Sequence, residues 1–489
     1  MTVTEPDTTQ VPDSHGGLEN LDAEYSYWID DLIDGEVPTD LHGTFFRNGP
    51  GRQRIGTDTY GHWFDGCGML CAFSFVDGRV HFRNRYVRTP KYVNETREQR
   101  ILYRGFGTQR PGGVLKNAFR RPANPANTNA VVHGGKLLTL WEGGHPWELD
   151  PESLETIGEC NFDGQLNRAN VFSAHPHLHT RTGAMFNFGA GLGGINRKGV
   201  YAVMNIYRLN PDGVLDKKGK VPLPTFPFAH DFALSDKYAI FFINSIVSTA
   251  MGSVILGRRS ISDQTVFDDD TPMRIIVVDL DTLTEVRTFE TDPGAIIHFG
   301  NAYEDGQELV IDGMHATDFD ANEGLSDVFN STRFKAGTFN RFRLDMASGR
   351  LAVEKLSDTE SEFPVFNPAV AGQRHRHTYS ACNVDNGFDS FFNGFQKVGD
   401  GGQEALITLP PGHYGAEPIF APAGDREAED RGYVLEVVYN GFDHVSELHV
   451  HRGEDITERV CALRLRHHVP HQFHGHWHDD VVVAEAHQG

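Results

Sequence analysis

The chain has 489 residues, 39% hydrophobic and 23% charged, a balance that suits a soluble globular protein with ample material for a core. Its formal net charge of −23, from 67 acidic against 44 basic residues, excludes a general affinity for nucleic acid. No run of about 18 apolar residues exists to cross a membrane, and five cysteines, an odd number, form no paired framework and point to a reducing cytoplasm.

The opening MTVTEPDTTQVPDSHGG is polar and acidic, without the basic and apolar regions of a signal peptide. Residues 1–20 are therefore expected to form a mobile tail, and residues 21–489 one domain, since no Pro- or Ser-rich linker divides them. Cys67 and Cys71, four apart, read as packing residues rather than metal ligands in the absence of further partners. Short apolar runs rich in Val, Ile, Phe and Tyr follow: AVVHGGKLLTLW, GVYAVMNIYRL, KYAIFFINSIV, MRIIVVDL, QELVIDGM and RGYVLEVVYN. They read as strands bounded by turns, and no long amphipathic helix competes with them.

A loose repeat runs through these strands. Each ends in Leu, then Asp or Asn, a turn and a second strand: WELDPESLET, YRLNPDGVL, VVDLDTLTEV and FRLDMASGRL. The marker residues Leu149, Leu209, Leu280 and Leu344 are 60, 71 and 64 apart, and 489 residues at about 65 per unit make about seven units. Repeating hairpins of this period predict an all-β, seven-bladed propeller with long inter-strand insertions. The glycine run GAGLGG (189–194) lacks a βαβ setting and reads as a loop, and there is no P-loop.

Among 25 histidines, four lie beside apolar or small residues where strands begin or end: His175, His230, His298 and His474. A propeller gathers its inner strands round one axis, so histidines 55, 68 and 176 residues apart can meet there, and imidazole suits iron, zinc or copper. Glu142, Glu362 and Glu417 sit in similar settings (LLTLWEGG, SEFPVF, GAEPIF). A buried carboxylate needs a partner, and the free N–H of a metal-bound imidazole is one. At the far end, HHVPHQFHGHWHDD (467–480) packs six histidines into a stretch interrupted by Val, Pro, Gln, Phe, Gly and Trp, unlike a tag.

At this point the sequence resembles the carotenoid cleavage oxygenase family, which also contains stilbenoid-cleaving and retinoid isomerase members. The resemblance runs from about Tyr27 to Trp477 and rests on ordered blocks: GTFFRNGPG, HWFDGCGM, YVRTPKY, PANTNAV, KLLTLWEGG, FSAHP, FAHDFA, HFGNAYE, EFPVFNP, EPIFAP and LRHHVPHQFHGHW. It implies a propeller whose long loops cap one Fe(II) on the axis, held by His175, His230, His298 and His474, with Glu142, Glu362 and Glu417 behind them. Of the six clustered histidines, only His474 is then a ligand. The resemblance also implies that Thr128 lies by the open coordination position. The FDGCGM block departs from the FDGDGM common in the family by placing Cys67 where an aspartate stands.

The implied reaction is oxidative cleavage of a conjugated C=C bond of a carotenoid or apocarotenoid by O2, giving two carbonyl products. The partners are a lipophilic small molecule and a membrane surface touched at the mouth formed by RPGGVLKNAFRRPANP (110–125); the protein is expected to be cytoplasmic and peripheral to that membrane. Nothing in the sequence reports the oligomeric state. Trp141, Phe228 and Ile297 adjoin the site residues and are candidate substrate contacts. A stilbenoid cleaver would grip a phenol through a tyrosine and a lysine, for which Tyr103 and Lys136 are candidates. A propeller hydrolase would instead gather carboxylate and amide oxygens round calcium, and an interaction propeller would carry regular WD-type repeats. An isomerase on the same metal site would be told apart by its product.

Overall fold

The computed structural model describes residues 11–12, 14–196, 199–223, 226–331, 335–384, 391–424 and 428–480. Among these, seven antiparallel sheets follow one another as the blades of a propeller. From the inside out, blade 2 is Asn129–His133, Lys136–Leu140, Trp147–Leu149 and Thr156–Glu159. Blade 3 is His177–Leu178, Met185–Asn196, Gly199–Leu209 and Leu215–Leu223; blade 4 is Ala233–Leu234, Tyr238–Ile243, Met273–Asp279 and Thr284–Thr291. Blade 5 is Ala295–Asp305, Glu308–Ala316, Thr338–Asp345 and Leu351–Lys355; blade 6 is Ser361–Val365, His377–Cys382, Gly394–Gly399 and Gly402–Thr408.

The two remaining blades close the ring by exchanging chain ends. In blade 1 the C-terminal strand Gly475–His478 pairs with Gly43–Arg52, inside Cys67–Val76, Arg79–Tyr86 and Ser26–Trp28. In blade 7 the N-terminal strand Asp31–Gly35 pairs with Arg459–Arg464, outside Val445–Arg452, Gly432–Asn440 and the short inner strands His413–Tyr414 and Ile419–Pro422. First strands pack on those of neighbouring blades: Ala295–Asp305 touches both Ala233–Leu234 and Ser361–Val365, and Gly475–His478 touches Asn129–His133 and Ile419–Pro422.

The marker leucines have a clear origin. Leu149, Leu209, Leu280 and Leu344 all lie within one residue of the end of the third strand of a blade and are buried. The polar residue beside each closes the hairpin to the fourth strand: Asp150 accepts Ser153 N–H, Asn210 accepts Val214 N–H and Asp345 accepts Ser348 N–H. In blade 4 that acceptor is Asp279, one residue before the leucine, which takes Thr282 N–H.

The core lies in seams between blades. Successive strand residues point to opposite faces. In Tyr238–Ile243, Phe241 packs with Phe188 and Met204 of blade 3, and Phe242 with Ile311 and Phe342 of blade 5. Central strands buried on both faces read as unbroken apolar runs, which is why KYAIFFINSIV and MRIIVVDL do not alternate. Outermost strands carry charges such as Lys217, Lys218, Glu354 and Lys355, which protect their open edges. GAGLGG, expected as a loop, is instead part of the second strand of blade 3. Its Gly189 lies so close to the next chain segment that a Cβ would stand 1.9 Å from the Val171 carbonyl oxygen, which makes glycine obligatory there.

Strands one and three start at one end of the propeller, so the connections between second and third strands and between blades share that end. The long insertions lie here: residues 87–128 with the helix Pro90–Glu98, residues 244–272 and residues 317–331. They cross-link one another, as Ile261 N–H reaches the Phe106 carbonyl and Ser262 bonds Asn322 and Ser326.

Of the expected tail, residues 1–10 and 13 lie outside the described residues. Ser14–Leu18 is a packed 3-10 helix with Leu18 buried, so this part of the expected tail is packed against the domain. Two of the clustered C-terminal histidines hold it: Nε2 of His468 donates to the Glu19 carbonyl (3.2 Å) and Nε2 of His471 to the Ser14 carbonyl (3.1 Å).

This packing predicts an acid limit to stability. Burial lowers His62, His451 and His468 to about 4 and His471 to about 3, from 6.5 in the unfolded chain. A folded pKa below the unfolded one means the unfolded chain takes up the proton first, so stability is complete above pH 6.5 and falls below it. Each such histidine costs about 1.4 kcal/mol per pH unit down to its folded pKa. Urea denaturation should give a steep fall from pH 6 to 4, where the histidines outweigh the opposite slope of Glu142 and Glu436, both raised to about 8 by burial. A midpoint unchanged between pH 7 and 5 would contradict this account.

Candidate metal centre

Each blade contributes one residue to a single cluster, always where its inner strand begins. Blade 1 supplies His474, before Gly475–His478, and blade 2 supplies Thr128, before Asn129–His133. Blades 3 and 4 supply His175 and His230, just ahead of His177–Leu178 and Ala233–Leu234. Blades 5, 6 and 7 supply His298, Glu362 and Glu417. Glu142 joins them from the end of the second strand of blade 2.

The four imidazoles meet with one ring nitrogen each, all within 4.8 Å of one another. Nε2 of His175 and Nε2 of His230 are 2.9 Å apart. The opposite nitrogens face carboxylates. Nδ1 of His298 donates to Glu362 at 2.7 Å and Nδ1 of His474 to Glu417 at 2.8 Å, while Nδ1 of His230 lies 3.4 Å from Glu142. A proton held on Nδ1 leaves the Nε2 lone pair aimed at the common point. Both oxygens of Glu417 are engaged, the second by Gly475 N–H at 2.7 Å.

Local backbone explains these aims. A bulge between Ile296 and Phe299 inserts one extra residue and turns His298 inward. A matching bulge between Glu362 and Val365 brings the glutamate to it. Phe363 within that bulge has φ of +60°, an uncommon left-handed geometry for a non-glycine residue, held by its N–H on Glu362 at 2.9 Å. Its ring stands 5.1 Å from His298 and 5.3 Å from His474.

Electrostatically the cluster is prepared for a cation. Burial first, then mutual repulsion, drives His175 and His230 well below the usual imidazole range, so both are neutral donors near pH 7. Burial also lowers His474 despite Glu417; at His298 the opposing pull of Glu362 wins and raises it. Glu142 is pushed up to about 8 by burial, against the hydrogen bonds from Ala174 N–H and Ser173 Oγ–H. A bound cation would reverse that sign and return Glu142 to its ionised form. Nε2 of His298 is buried with no hydrogen-bond partner among the described residues, which fits a ligand atom. Four neutral nitrogen donors suit a first-row transition metal and not calcium or magnesium.

The other candidates are distributed as follows. Thr128 donates from its hydroxyl to Asn127 (3.3 Å), and its carbonyl accepts His474 N–H (3.2 Å). Trp141 is buried against the Gly143 backbone. Phe228 packs edge-on to Phe319 at 5.2 Å, and Ile297 is half-buried beside His298. Lys136 is not at the site. It pairs with Glu148 at 2.7 Å and with His133 across the first hairpin of blade 2, whose other end holds Thr128. Five residues of strand put Lys136 about 16 Å from Thr128. Tyr103 lies by Pro90–Glu98, where its hydroxyl accepts Asn94 Nδ2–H at 2.6 Å. Cys67 sits in blade 1, away from the imidazoles, its Sγ accepting from Arg52 at 3.4 Å and Lys91 at 3.6 Å; the sulfur occupies the acceptor place between two buried cations. All five cysteines are free and buried.

Several supports escaped the sequence reading. Arg47, fully buried, binds the Glu417 carbonyl at 2.6 Å and the Phe473 carbonyl at 3.3 Å, framing both residues of the His474–Glu417 pair. Asparagines clip one blade to the next: Asn48 to the Ala126 and Asn129 carbonyls, Asn129 to that of Ala174, and Asn244 to that of Ile296. The recurring asparagine of FFRNG, NTNAV and FFINS was the available signal.

Glu417→Gln tests the carboxylate role. The amide cannot accept from both Nδ1–H of His474 and Gly475 N–H. Metal affinity, read by chelator competition, should fall by about 10–100-fold. An unchanged affinity would leave Glu417 a purely structural residue.

Comparisons with known proteins agree with this geometry. The profile of the family described as retinal pigment epithelial membrane protein (RPE65) matches residues 18–479. The apocarotenoid-15,15'-oxygenase of Synechocystis sp. is 34% identical over 94% of this chain and 95% of its own. The resveratrol cleavage oxygenase 1 of Aspergillus fumigatus is 30% identical over 91% of each chain. Among solved structures, an ACO/RPE65 chimera superimposes with a TM-score of 0.87 at 32% identity, covering 94% of this chain and 97% of that one. A cobalt-substituted Synechocystis ACO gives 0.85 at 32% identity, with the same coverage.

Proposed function

The chain belongs to the RPE65 family of carotenoid cleavage oxygenases, and on that footing we propose that it is a non-haem Fe(II) dioxygenase that cleaves a conjugated C=C bond of a carotenoid or apocarotenoid with O2. The observation that carries this reading is the convergence of four histidine side chains from four blades, with carboxylates behind three of them. When bound, ferrous iron would supply an open coordination position and the electrons that let O2 react with an electron-rich alkene. The balance is closed: one C=C bond and one O2 become two C=O groups, and no further reductant is consumed.

The chain's own residues prepare that reaction. Glu362 and Glu417 hold the Nδ1 protons of His298 and His474 and so fix which nitrogen faces the centre. Glu142 does the same for His230 once ionised. With three carboxylates near four neutral imidazoles, the charge of a divalent ion is balanced without an acidic ligand. Thr128 has its hydroxyl occupied by Asn127, and we assign its methyl to limiting access at the open position. Trp141, Phe228 and Ile297, joined by Phe363, would hold the polyene and keep water from it.

Lys136 and Tyr103, the residues a phenol-gripping site would need, are committed elsewhere, to Glu148 and Asn94. Their positions favour a polyene over a hydroxystilbene. Incubation of the iron-loaded protein with an apocarotenal, a full carotenoid and a hydroxystilbene, followed by chromatography, decides the matter. Two carbonyl products from a polyene are expected, each labelled once from isotopic O2. Cleavage of the stilbene alone would overturn the substrate assignment, and a protein that binds no iron would overturn the chemistry.

No helix among the described residues is long and apolar enough to cross a membrane. Residues 110–125 nevertheless support a surface contact. Leu115 and Phe119 are 93% and 76% exposed, and Phe119 N–H bonds the Ile255 carbonyl. That bond brings the exposed Val114, Met251, Ile255 and Leu256 into one apolar patch, with Lys116, Arg120, Arg121, Arg258 and Arg259 exposed in the same segments. Such a patch would dip into a bilayer holding a lipophilic substrate. The protein should co-sediment with anionic vesicles, and the double substitution Leu115→Glu with Phe119→Glu should abolish it; equal sedimentation of both forms refutes this contact.

A further inference from the structure

Three of the four imidazoles have a glutamate at Nδ1; His175 does not. The nearest carboxylate to its Nδ1 is Asp231, 4.0 Å away, too far for a direct hydrogen bond. Asp231 is 4% exposed and follows His230 in the chain. Its Oδ1 accepts Nε2–H of His177 at 2.8 Å and the N–H of Phe232 at 2.7 Å. Its Oδ2 accepts the N–H of Phe299 at 2.9 Å. His177 opens the inner strand of blade 3, Phe232 leads into that of blade 4, and Phe299 lies in that of blade 5. The three bonds therefore end within one or two residues of His175, His230 and His298 respectively.

We infer that Asp231, held by His177, is a positioning residue for the metal: one carboxylate that ties three successive blades and thereby sets the mutual spacing of His175, His230 and His298, while supplying the negative charge nearest to His175. This rests on the proposed metal centre and adds to it the fourth carboxylate. The physical case is one of accounting for a buried charge. A buried aspartate is costly unless hydrogen-bonded, and every bond Asp231 makes runs to a residue next to, or one removed from, a candidate ligand. None runs to a remote surface or turn. A purely structural clasp would work as well at any other level along these strands; this one sits at the level of the nitrogens.

Asp231→Asn keeps the size but removes the charge, and turns an NH2 towards either Phe299 N–H or His177 Nε2–H, both donors. The test uses the whole protein loaded with cobalt(II), whose visible absorption reports ligand geometry, alongside iron affinity by chelator competition. The variant should bind iron about 10–100-fold more weakly and show displaced cobalt bands. His177→Gln, which leaves the charge but loosens its anchor, should show a smaller loss in the same direction. Asp231→Glu should restore part of the affinity. A merely structural role would lower the melting temperature but leave the cobalt spectrum and metal affinity as in the wild type, and that outcome overturns the inference. If Asp231→Asn does not fold, unchanged metal affinity in His177→Gln overturns it instead. A wild-type protein that binds neither metal refutes the proposed centre itself, a result distinct from either variant's.

Discussion

Replacing His230 by alanine should strip the protein of iron and of cleavage activity while leaving it folded. The side chain is 17% exposed and begins no strand of its own, so its truncation removes little packing. Asp231 beside it, with bonds to His177, Phe232 and Phe299, is untouched. What is lost is a nitrogen 2.9 Å from that of His175, and with it the partner of Glu142. Three remaining imidazoles, spaced for four, hold the ion poorly. The loss in affinity should exceed the roughly 10–100-fold expected of an outer partner such as Glu417. Metal analysis after desalting should find iron in the wild type and none in the variant, with similar circular dichroism spectra for both. His478→Ala, in the same histidine-rich stretch but paired with Asp480 at the surface, should keep its iron. Full iron occupancy in His230→Ala would refute the ligand set.

A second large effect is expected at a buried ion pair of blade 5. Asp312 and Arg341 face each other across the second and third strands of blade 5. They form two parallel bonds, Nε to Oδ1 and Nη2 to Oδ2, both 2.8 Å, with side-chain exposures of 0% and 5%. His375 donates to Asp312 from blade 6 at 3.1 Å, and Arg341 reaches Asp400 of blade 6 at 3.2 Å, so the pair also fastens two blades. Burial would raise the Asp312 carboxyl, but the bonds from Arg341 and His375 outweigh it and hold it below the usual range. Arg341→Met leaves that carboxylate buried without its main partner. Breaking such a pair costs about 3–5 kcal/mol, whereas replacing both members with apolar groups costs far less. Urea denaturation should show Arg341→Met strongly destabilised and the double variant Arg341→Met, Asp312→Leu largely recovered. A single variant within about 1 kcal/mol of wild type, the scale of an ordinary substitution, would mean that His375 alone satisfies Asp312. Because the folded carboxyl pKa is depressed, this stabilisation holds above the unfolded value near 3.8 and is lost as pH falls below it.

Strand content, blade number and the four histidines that cluster were legible in the chain for one reason: each is written in local residues. The Leu-Asp turn recurs because every third-to-fourth-strand hairpin needs a buried apolar stop and a side-chain acceptor, as at Leu149 with Asp150 and Leu344 with Asp345. The four histidines stand out because each lies within three residues of the start of an inner strand, among small and apolar neighbours. The ordered blocks that resemble a known family then turned candidates into a ligand set.

Tertiary structure decided what depends on distances between remote segments. Lys136 was a candidate phenol contact, yet the length of the strand Lys136–Leu140 separates it from Glu142 and puts the two at opposite ends of the propeller. GAGLGG looked like a loop, and became a strand because Gly189 must pass against the Val171 carbonyl. His468 and His471 share the histidine-rich stretch with His474, but only the folded chain shows that they hold the N-terminal segment through the Glu19 and Ser14 carbonyls. Arg47 and the carboxylate of Asp231 carry no local signature at all, and the recurring asparagines give no hint of which carbonyls they clip. Their bonds span blades, and which backbone groups are left to be satisfied is fixed only once the ring has closed, with strand Gly475–His478 laid beside Gly43–Arg52. Periodicity and residue chemistry act along the chain and survive in a linear reading, whereas the pairing of buried polar groups is a property of the packed blades, since it is burial that makes each unpaired group costly.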